Sequence, residues 1–345
     1  MKYRLYTTSH SAWDSMFTSM SAATQSIYIE MYTLLDDTQT THDFLHLLAD
    51  KSRAGLEIVV VADIYGSRAL RNTAVDSLKT AGVEFLYFSR WFRRTHRKIV
   101  VIDNQVAFTG GVNIIEETRN WIDLQIRLEG GIIRPLLRSF AYSYEMAGGR
   151  KESILQFYRQ PLVKKIKAWI TDNLPQTAKI YYLNDYYKKR ILEANKSVTI
   201  VTPYLLPPSW LVGVLDDACR RGVKVEILIP NDTDVKPVNK VNFLNACRLS
   251  EFGVKFYLLP TMNHAKIMII DNEEVVVGSQ NMDILSFNWN VEAGVFSQQK
   301  DLVADLVRIV EQWKKASVEF SALSRKPNYL DRFLIVVLKF FYPIM

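Results

Sequence analysis

Two stretches of the sequence set a histidine, a lysine, an aspartate, a glycine and an asparagine at matched intervals. The first runs from Thr95 and His96 through Lys98 to Asp103, then through Gly110, Gly111 and Asn113. The second runs from Asn263 and His264 through Lys266 to Asp271, then through Gly278, Ser279 and Asn281. All five matched positions recur 168 residues apart. A repeat kept for packing alone would retain apolar pattern and glycines, with no reason to retain His, Lys and Asn. The shared set suits work on an anion: an imidazole to attack or move a proton, beside a fixed ammonium and a carboxamide.

His96 and Lys98 are two apart, so on an extended strand they project from one face. Asp103-Asn104 is a turn signal, and residues 98–102 and 106–110 read as the arms of a hairpin. A turn centred near residue 104 puts the position opposite His96 near 112, which brings Gly111 and Asn113 back beside the His and Lys. The same geometry moves Asp103 away, five strand steps or roughly 16 Å from Lys98. Asp103 and Asp271 are therefore assigned to structure, capping the turn or pairing with a cation. One such set makes an anion site. Two, packed about a pseudo-twofold axis, make a reaction centre in which both imidazoles face one phosphate. One His attacks phosphorus while the other, protonated, serves the leaving alkoxide. Lys98, Lys266, Asn113, Asn281 and the Ser279 hydroxyl hold the non-bridging oxygens. The motifs include no carboxylate pair or His cluster suited to Mg²⁺ or Zn²⁺, so neither metal nor cofactor is expected.

The elements that must carry these groups alternate. Strands are expected at 2–6, 26–32, 57–62, 83–88 and 98–102, and helices at 11–24, 41–54 and 67–80, the second stopping at Gly55. This is the order of an α/β domain with a largely parallel sheet. The second half repeats it: 179–182 answers the first strand, 197–201 answers 26–30, and 220–229 answers the stretch from Ala54. Gly253 answers Gly82. Offsets of 167 to 171 mark a duplicated domain rather than a solenoid of short repeats. We expect two similar α/β lobes at 1–150 and 178–325, a connector at 151–177 with a wet lysine face (Lys164, Lys165, Lys167), and an apolar, basic tail at 326–345.

Composition narrows the class further. The chain has 345 residues and a net charge of +7, which suits nucleic acid, anionic lipid or another phosphate-bearing partner. Cys219 and Cys247 form neither a disulfide framework nor a thiolate metal site, and a reducing compartment is the simpler reading. The N-terminal residues carry no signal-peptide pattern, and no run reaches the roughly 18 to 20 apolar residues of a spanning helix.

The doubled motif, His-x-Lys with Asp five residues on, then Gly-Gly or Gly-Ser and Asn, resembles the phospholipase D superfamily, and the chain is most similar to bacterial-type cardiolipin synthases. The resemblance runs over nearly the whole length, including Thr202-Pro203-Tyr204, Asp123 after Trp121-Ile122, and Glu292 after Asn290-Val291. It implies the two-lobed phospholipase D fold, each lobe an α/β-sandwich, with its site at the pseudo-twofold interface, and a phosphohistidine intermediate with His96 as nucleophile. By the same resemblance, Asp123 and Glu292 support catalytic histidines. Leu285 stands where similar synthases tend to have Arg, and Gly130-Gly131 replaces a common Gly-Pro.

The function expected is transfer of a phosphatidyl group from one phospholipid, phosphatidylglycerol foremost, to the hydroxyl of another. Its rivals are a phosphodiesterase or nuclease using water, and a non-catalytic membrane-binding protein. The stretch from Arg90 to Arg97, with Trp91 and Phe92 among its cations, suits lipid headgroups and nucleic acid alike. The tail, with Arg332 and Lys339 in an apolar run, suits an interfacial helix or one docked on the protein itself. Peripheral contact with the cytoplasmic face of the membrane is expected, and nucleic acid is not favoured as partner. Trp210, Trp289 and Trp313 read as packing residues, and His10, His42 and His46 as surface or core positions without a partner pattern.

Overall fold

A computed structural model describes residues 1–90, 93–159, 168–172 and 182–321. Trp91, Phe92, the lysines at 164, 165 and 167, the strand expected at 179–182 save Tyr182, and the tail at 326–345 lie outside them. The chain divides into two compact units, Met1–Ile170 with Val291–Gly294, and Thr171–Asn290 with the segment that starts at Val295.

The first unit carries β1 (Lys2–Thr8), α1 (Ser9–Ser21), β2 (Ser26–Met31), α2 (Phe44–Arg53), β3 (Glu57–Asp63), α3 (Asn72–Thr80), β4 (Glu84–Phe88), β5 (Lys98–Ile102), β6 (Val106–Gly110), β7 (Ile122–Glu129), α4 (Ile133–Met146) and α5 (Glu152–Arg159). Its sheet runs β1-β7-β6-β5-β2-β3-β4. β2, β3 and β4 are parallel, and β5, β6, β7 and β1 continue antiparallel. The sheet is covered on both faces, which is why β2 and β3 read as continuous apolar runs. Ile27, Ile29 and Met31 pack with Trp13 and Met16 of α1 and Phe44 and Leu48 of α2. On the opposite face Tyr28 stacks on Phe140 of α4 at 5.4 Å.

α3 begins at Asn72 rather than at the expected residue 67. Asp63 draws off the N–H groups of Tyr65 and Gly66, and the Ser67 hydroxyl donates to the Tyr32 carbonyl, so these residues turn instead of winding.

The second sheet repeats the plan. Its elements are β8 (Ala168–Asp172), α6 (Tyr182–Glu193), β9 (Ser197–Val201), β10 (Leu205–Leu206), α7 (Ser209–Arg220), β11 (Lys224–Pro230), α8 (Lys236–Ser250), β12 (Lys255–Leu259), β13 (Ile267–Ile270), β14 (Glu274–Gly278), β15 (Met282–Asp283), α9 (Ile284–Asn288), β16 (Ala293–Ser297), α10 (Lys300–Lys315) and β17 (Val318–Glu319). The order is β17-β12-β11-β9-β13-β14-β16-β8. β8 takes the edge beside β16, the place β1 holds beside β7. Of the stretch 179–182 expected to answer the first strand, the described residue Tyr182 opens α6, and β8 stands earlier in the chain. Of the tryptophans read as packing residues, Trp289 is 38% exposed and Trp210 meets Phe287 at 5.0 Å.

The two hairpins match residue for residue. Ile99 faces Thr109 and Ile267 faces Val277. Each turn places two residues at positive φ, Asp103 at 51° and Asn104 at 54°, Asp271 at 53° and Asn272 at 56°. This is the backbone of a type I′ turn, which Asp and Asn tolerate better than other side chains. Among the described residues no helix is long and apolar enough to cross a membrane.

Candidate active site

His96 lies just ahead of β5 in an extended segment that pairs with Val291. The His96 N–H donates to the Val291 carbonyl at 2.9 Å, and the Val291 N–H donates to the Arg94 carbonyl at 2.8 Å. The next residue, Glu292, is thereby set against the imidazole. His96 Nδ1 stands 3.0 and 3.1 Å from the two oxygens of the Glu292 carboxylate, and both side chains are buried. With a carboxylate as acceptor, Nδ1 carries the proton and the neutral ring keeps its lone pair on Nε2, a tautomer assigned from this contact. Tyr32 packs edge-on against the imidazole at 4.8 Å. Lys98 Nζ lies 5.0 Å from the same tyrosine ring and donates to the His96 carbonyl at 2.6 Å.

Beneath the histidine lies a buried polar layer. Arg97 is fully buried, so its reading as one of the headgroup-facing cations of the 90–97 stretch is corrected. Its guanidinium donates to the Glu292 carbonyl at 3.2 Å, the Ser139 carbonyl at 2.9 Å and the Ser143 hydroxyl at 3.1 Å, and lies 3.6 Å from the Glu30 carboxylate. Such company is what allows a guanidinium to stay in the interior. The Thr95 hydroxyl donates to Glu30, and the Thr95 N–H donates to Asp63 at 2.8 Å. Burial pushes the Asp63 carboxyl up to about 6, against the lowering effect of N–H groups of Gly66, Thr95 and Tyr65 and of the Arg94 charge.

Asn113 is buried, with its carboxamide oxygen accepting the Thr33 N–H at 3.3 Å and its carbonyl accepting the Trp13 indole at 2.8 Å. Gly111 was expected beside His96 and Lys98. Its N–H pairs with the Leu124 carbonyl at 3.0 Å, which lays it along β7. A Cβ at Gly111 would fall 2.0 Å from an Asp123 carboxylate oxygen, so only glycine leaves room for that acid. Asp123 is buried and accepts the Leu124 N–H at 2.7 Å.

In the second unit His264, Lys266, Ser279 and Asn281 are all buried. The Lys266 ammonium donates to the His264 carbonyl, as Lys98 does to that of His96. Tyr204 meets the His264 ring edge-on at 6.2 Å. The Asn281 N–H donates to the Ser286 hydroxyl at 3.0 Å, and Ser286 is in turn held by the Asp283 cap of α9 at 2.7 Å. The Asn281 carboxamide oxygen is buried with no hydrogen-bond partner among the described residues.

Asp103 and Asp271 point away from these groups. Asp103 accepts the N–H groups of Thr24, Gln25 and Ser26 at 2.8 to 2.9 Å, and Asp271 accepts those of Asn195, Lys196 and Ser197 at 2.7 to 2.9 Å. Burial opposes ionisation of Asp103, but the Ser26, Thr24 and Gln25 N–H groups outweigh it and hold the carboxyl below its usual range. A carboxyl depressed in the folded state stabilises the fold above its unfolded value, near 4, and loses that contribution as pH falls through the folded value. Asp103→Ala is therefore expected to cost about 1–2 kcal/mol at neutral pH, with the deficit shrinking in acid. Urea unfolding across the pH range checks this; a deficit that stays constant down to acid pH would refute the linkage.

Tyr32, Glu30 and Arg97 were not singled out from the sequence. One signal was present for the tyrosines: Tyr32 and Tyr204 each follow matched strands, β2 and β9, a few residues before the chain turns into a loop.

Comparison with known proteins gives the family. Residues 16–123 and 187–314 match the family described as "Cardiolipin synthase, PLD-like domain". Cardiolipin synthase 1 of Staphylococcus aureus strain COL is 30% identical over 346 residues, covering 95% of this chain and 69% of that protein. The minor cardiolipin synthase of Bacillus subtilis strain 168 is 27% identical, covering 88% of this chain and 79% of its own length. Among solved structures, the phosphatidylserine synthase of Haemophilus influenzae Rd KW20 superposes with a TM-score of 0.77 at 14% identity, covering 99% of this chain and 93% of that one. The polyphosphate kinase of Porphyromonas gingivalis gives 0.67 at 13% identity, with coverage of 100% and 54%. The two structures speak for the fold alone. The family match spans well over half of the chain in two copies, each carrying one His-Lys motif, and the chain belongs to the cardiolipin synthase family with phospholipase D-like domains.

Proposed function

We propose that this protein joins two phosphatidylglycerols into cardiolipin, releasing glycerol, through a phosphatidyl-histidine intermediate. Family membership supports the reaction class, transfer of a phosphatidyl group between phospholipids. The observation that carries the finer reading is the Glu292 carboxylate at 3.0 Å from His96 Nδ1. It leaves Nε2 as the nitrogen with a lone pair, oriented by a buried acid. Nε2 forms the bond to phosphorus as the phosphorus–oxygen bond to the departing glycerol breaks, and protonated His264 supplies that oxygen with its proton. The hydroxyl of the second lipid then gives its proton to His264 and attacks phosphorus, and the bond to His96 breaks. Lys98, Lys266, Asn113, Asn281 and Ser279 hold the non-bridging oxygens, and Asp123 is the second histidine-supporting acid. Asp103 and Asp271 stay outside the chemistry as loop anchors. No metal enters the cycle.

The net charge of +7 suits an anionic membrane surface, and peripheral contact on the cytoplasmic face completes the reading. The test is product analysis by mass spectrometry after separate incubation with phosphatidylglycerol, with a mixture of phosphatidylglycerol and phosphatidylethanolamine, and with DNA. Cardiolipin and free glycerol from phosphatidylglycerol alone are expected. Phosphatidic acid as the sole lipid product would make water the acceptor, and DNA cleavage without cardiolipin would sink the lipid reading.

A further inference from the structure

Outside the His-Lys motifs, His10 and Asp14 of α1 and His42 of the segment before α2 come together. One ligand atom from each, a ring nitrogen or a carboxylate oxygen, lies within 4.8 Å of the other two. His10 and Asp14 are one helical turn apart and so share a face. The Nε2 of His42 stands 2.8 Å from one Asp14 oxygen, and the Nε2 of His10 stands 3.7 Å from the other. We propose that these three side chains form a binding site for a divalent transition-metal ion such as Zn²⁺, clipping α1 to the segment that leads into α2.

Four features support a site over a chance ion pair. Two imidazoles and a carboxylate are the donor set Zn²⁺ takes, and ligands at about 2.0–2.1 Å in a tetrahedron stand roughly 3.3 Å apart, a spacing the three groups, now within 4.8 Å of one another, reach by small side-chain rotations. The His42 ring is only 7% exposed and is fixed by its surroundings, stacked on Phe44 at 5.8 Å and met edge-on by Phe17 at 5.5 Å. Its other nitrogen is 3.1 Å from the Thr41 hydroxyl, the outer contact that orients a ligating imidazole. The surrounding charge also favours a cation. Glu116 acts on both imidazoles, and Glu116, Asp14 and Asp37 together offset the guanidinium of Arg119, which pairs with Glu116 and lies over the Trp13 ring at 5.1 Å. Two of the ligands are more than half exposed, so an ion reaches the site without opening the fold, and solvent fills the remaining position.

The site is independent of the proposed lipid chemistry and is tested without an activity assay. The full-length protein, freed of metal with a chelator, is titrated with ZnCl₂ by calorimetry and with Co²⁺ by visible absorption, alongside His10→Ala and Asp14→Ala. Both substitutions fall at positions more than half exposed on α1. One Zn²⁺ per chain is expected, together with a Co²⁺ spectrum of low coordination number and a rise in thermal midpoint on loading. Affinity should fall by more than about tenfold in each variant. A double Cys219→Ser, Cys247→Ser variant should bind as the parent does. Absence of saturable Zn²⁺ uptake, or uptake unchanged in both the His10 and Asp14 variants, would reduce the cluster to an ion pair only and overturn the proposal.

Discussion

His96→Ala is expected to abolish covalent capture of the phosphatidyl group and to lower turnover by about 10⁴-fold or more, the scale on which loss of an activated nucleophile is felt. His264→Ala is expected to remain a phosphatidyl acceptor, but a slow one. The departing glycerol oxygen would then leave without an acid, and general acid catalysis contributes about 10²- to 10⁴-fold. The two variants are separated by rapid quench with phosphatidylglycerol labelled in the phosphate, followed by peptide mapping. Label on His96 in the parent and in His264→Ala, and none in His96→Ala, is the expected pattern. Label on His264 in the parent would exchange the two roles. A His96→Ala variant of full activity would remove the catalytic reading altogether. Both imidazoles are buried next to a lysine that donates to the histidine carbonyl, and at His96 the backbone is held independently of the ring by its pairing with Val291.

The offset of 168 residues was legible because His, Lys, Asp, Gly and Asn have few structural reasons to recur together. Hairpin register was legible too. Asp103-Asn104 is a local turn signal, and once the turn is placed every pair along the ladder follows, with Ile99 opposite Thr109. Partners distant in sequence were not legible. Arg97 sits among cations and reads as surface until Glu30, Ser139 and Ser143 are seen around it, 42 or more residues away in sequence. The pairing of His96 with Glu292 spans 196 residues, and no local rule says which of two equivalent histidines an acid will meet. The edge strand β8 was missed for another reason. An edge strand has a single neighbour, its pattern is short, and Lys179 to Tyr182 matched the composition of the first strand better.

Glu292→Gln carries the second large effect, and it separates electrostatics from architecture. The substitution keeps the side chain's size and leaves the main-chain links untouched: His96 to Val291, Val291 to Arg94, and Arg97 to the Glu292 carbonyl. The loss is the negative charge 3.0 Å from His96 Nδ1. As Nε2 bonds to phosphorus the ring becomes cationic, and the carboxylate stabilises that cation in an interior where its field is weakly screened. Glutamine offers at best a neutral oxygen, and at worst turns its amide toward the ring and selects the wrong tautomer. Neutralising the acid behind a catalytic imidazole elsewhere costs as much as about 10⁴-fold in kcat, and a fall of about 10²- to 10⁴-fold is expected here. Because the charge acts on a state that exists only during reaction, kcat should drop with KM little changed and the unfolding midpoint close to that of the parent. Glu292→Asp retains the charge but draws it back by one methylene, and should fall between the two. If glutamine kept turnover within a few-fold of the parent, Glu292 would be a packing residue, and the lone pair on His96 Nε2 would have to be held in place by some other contact.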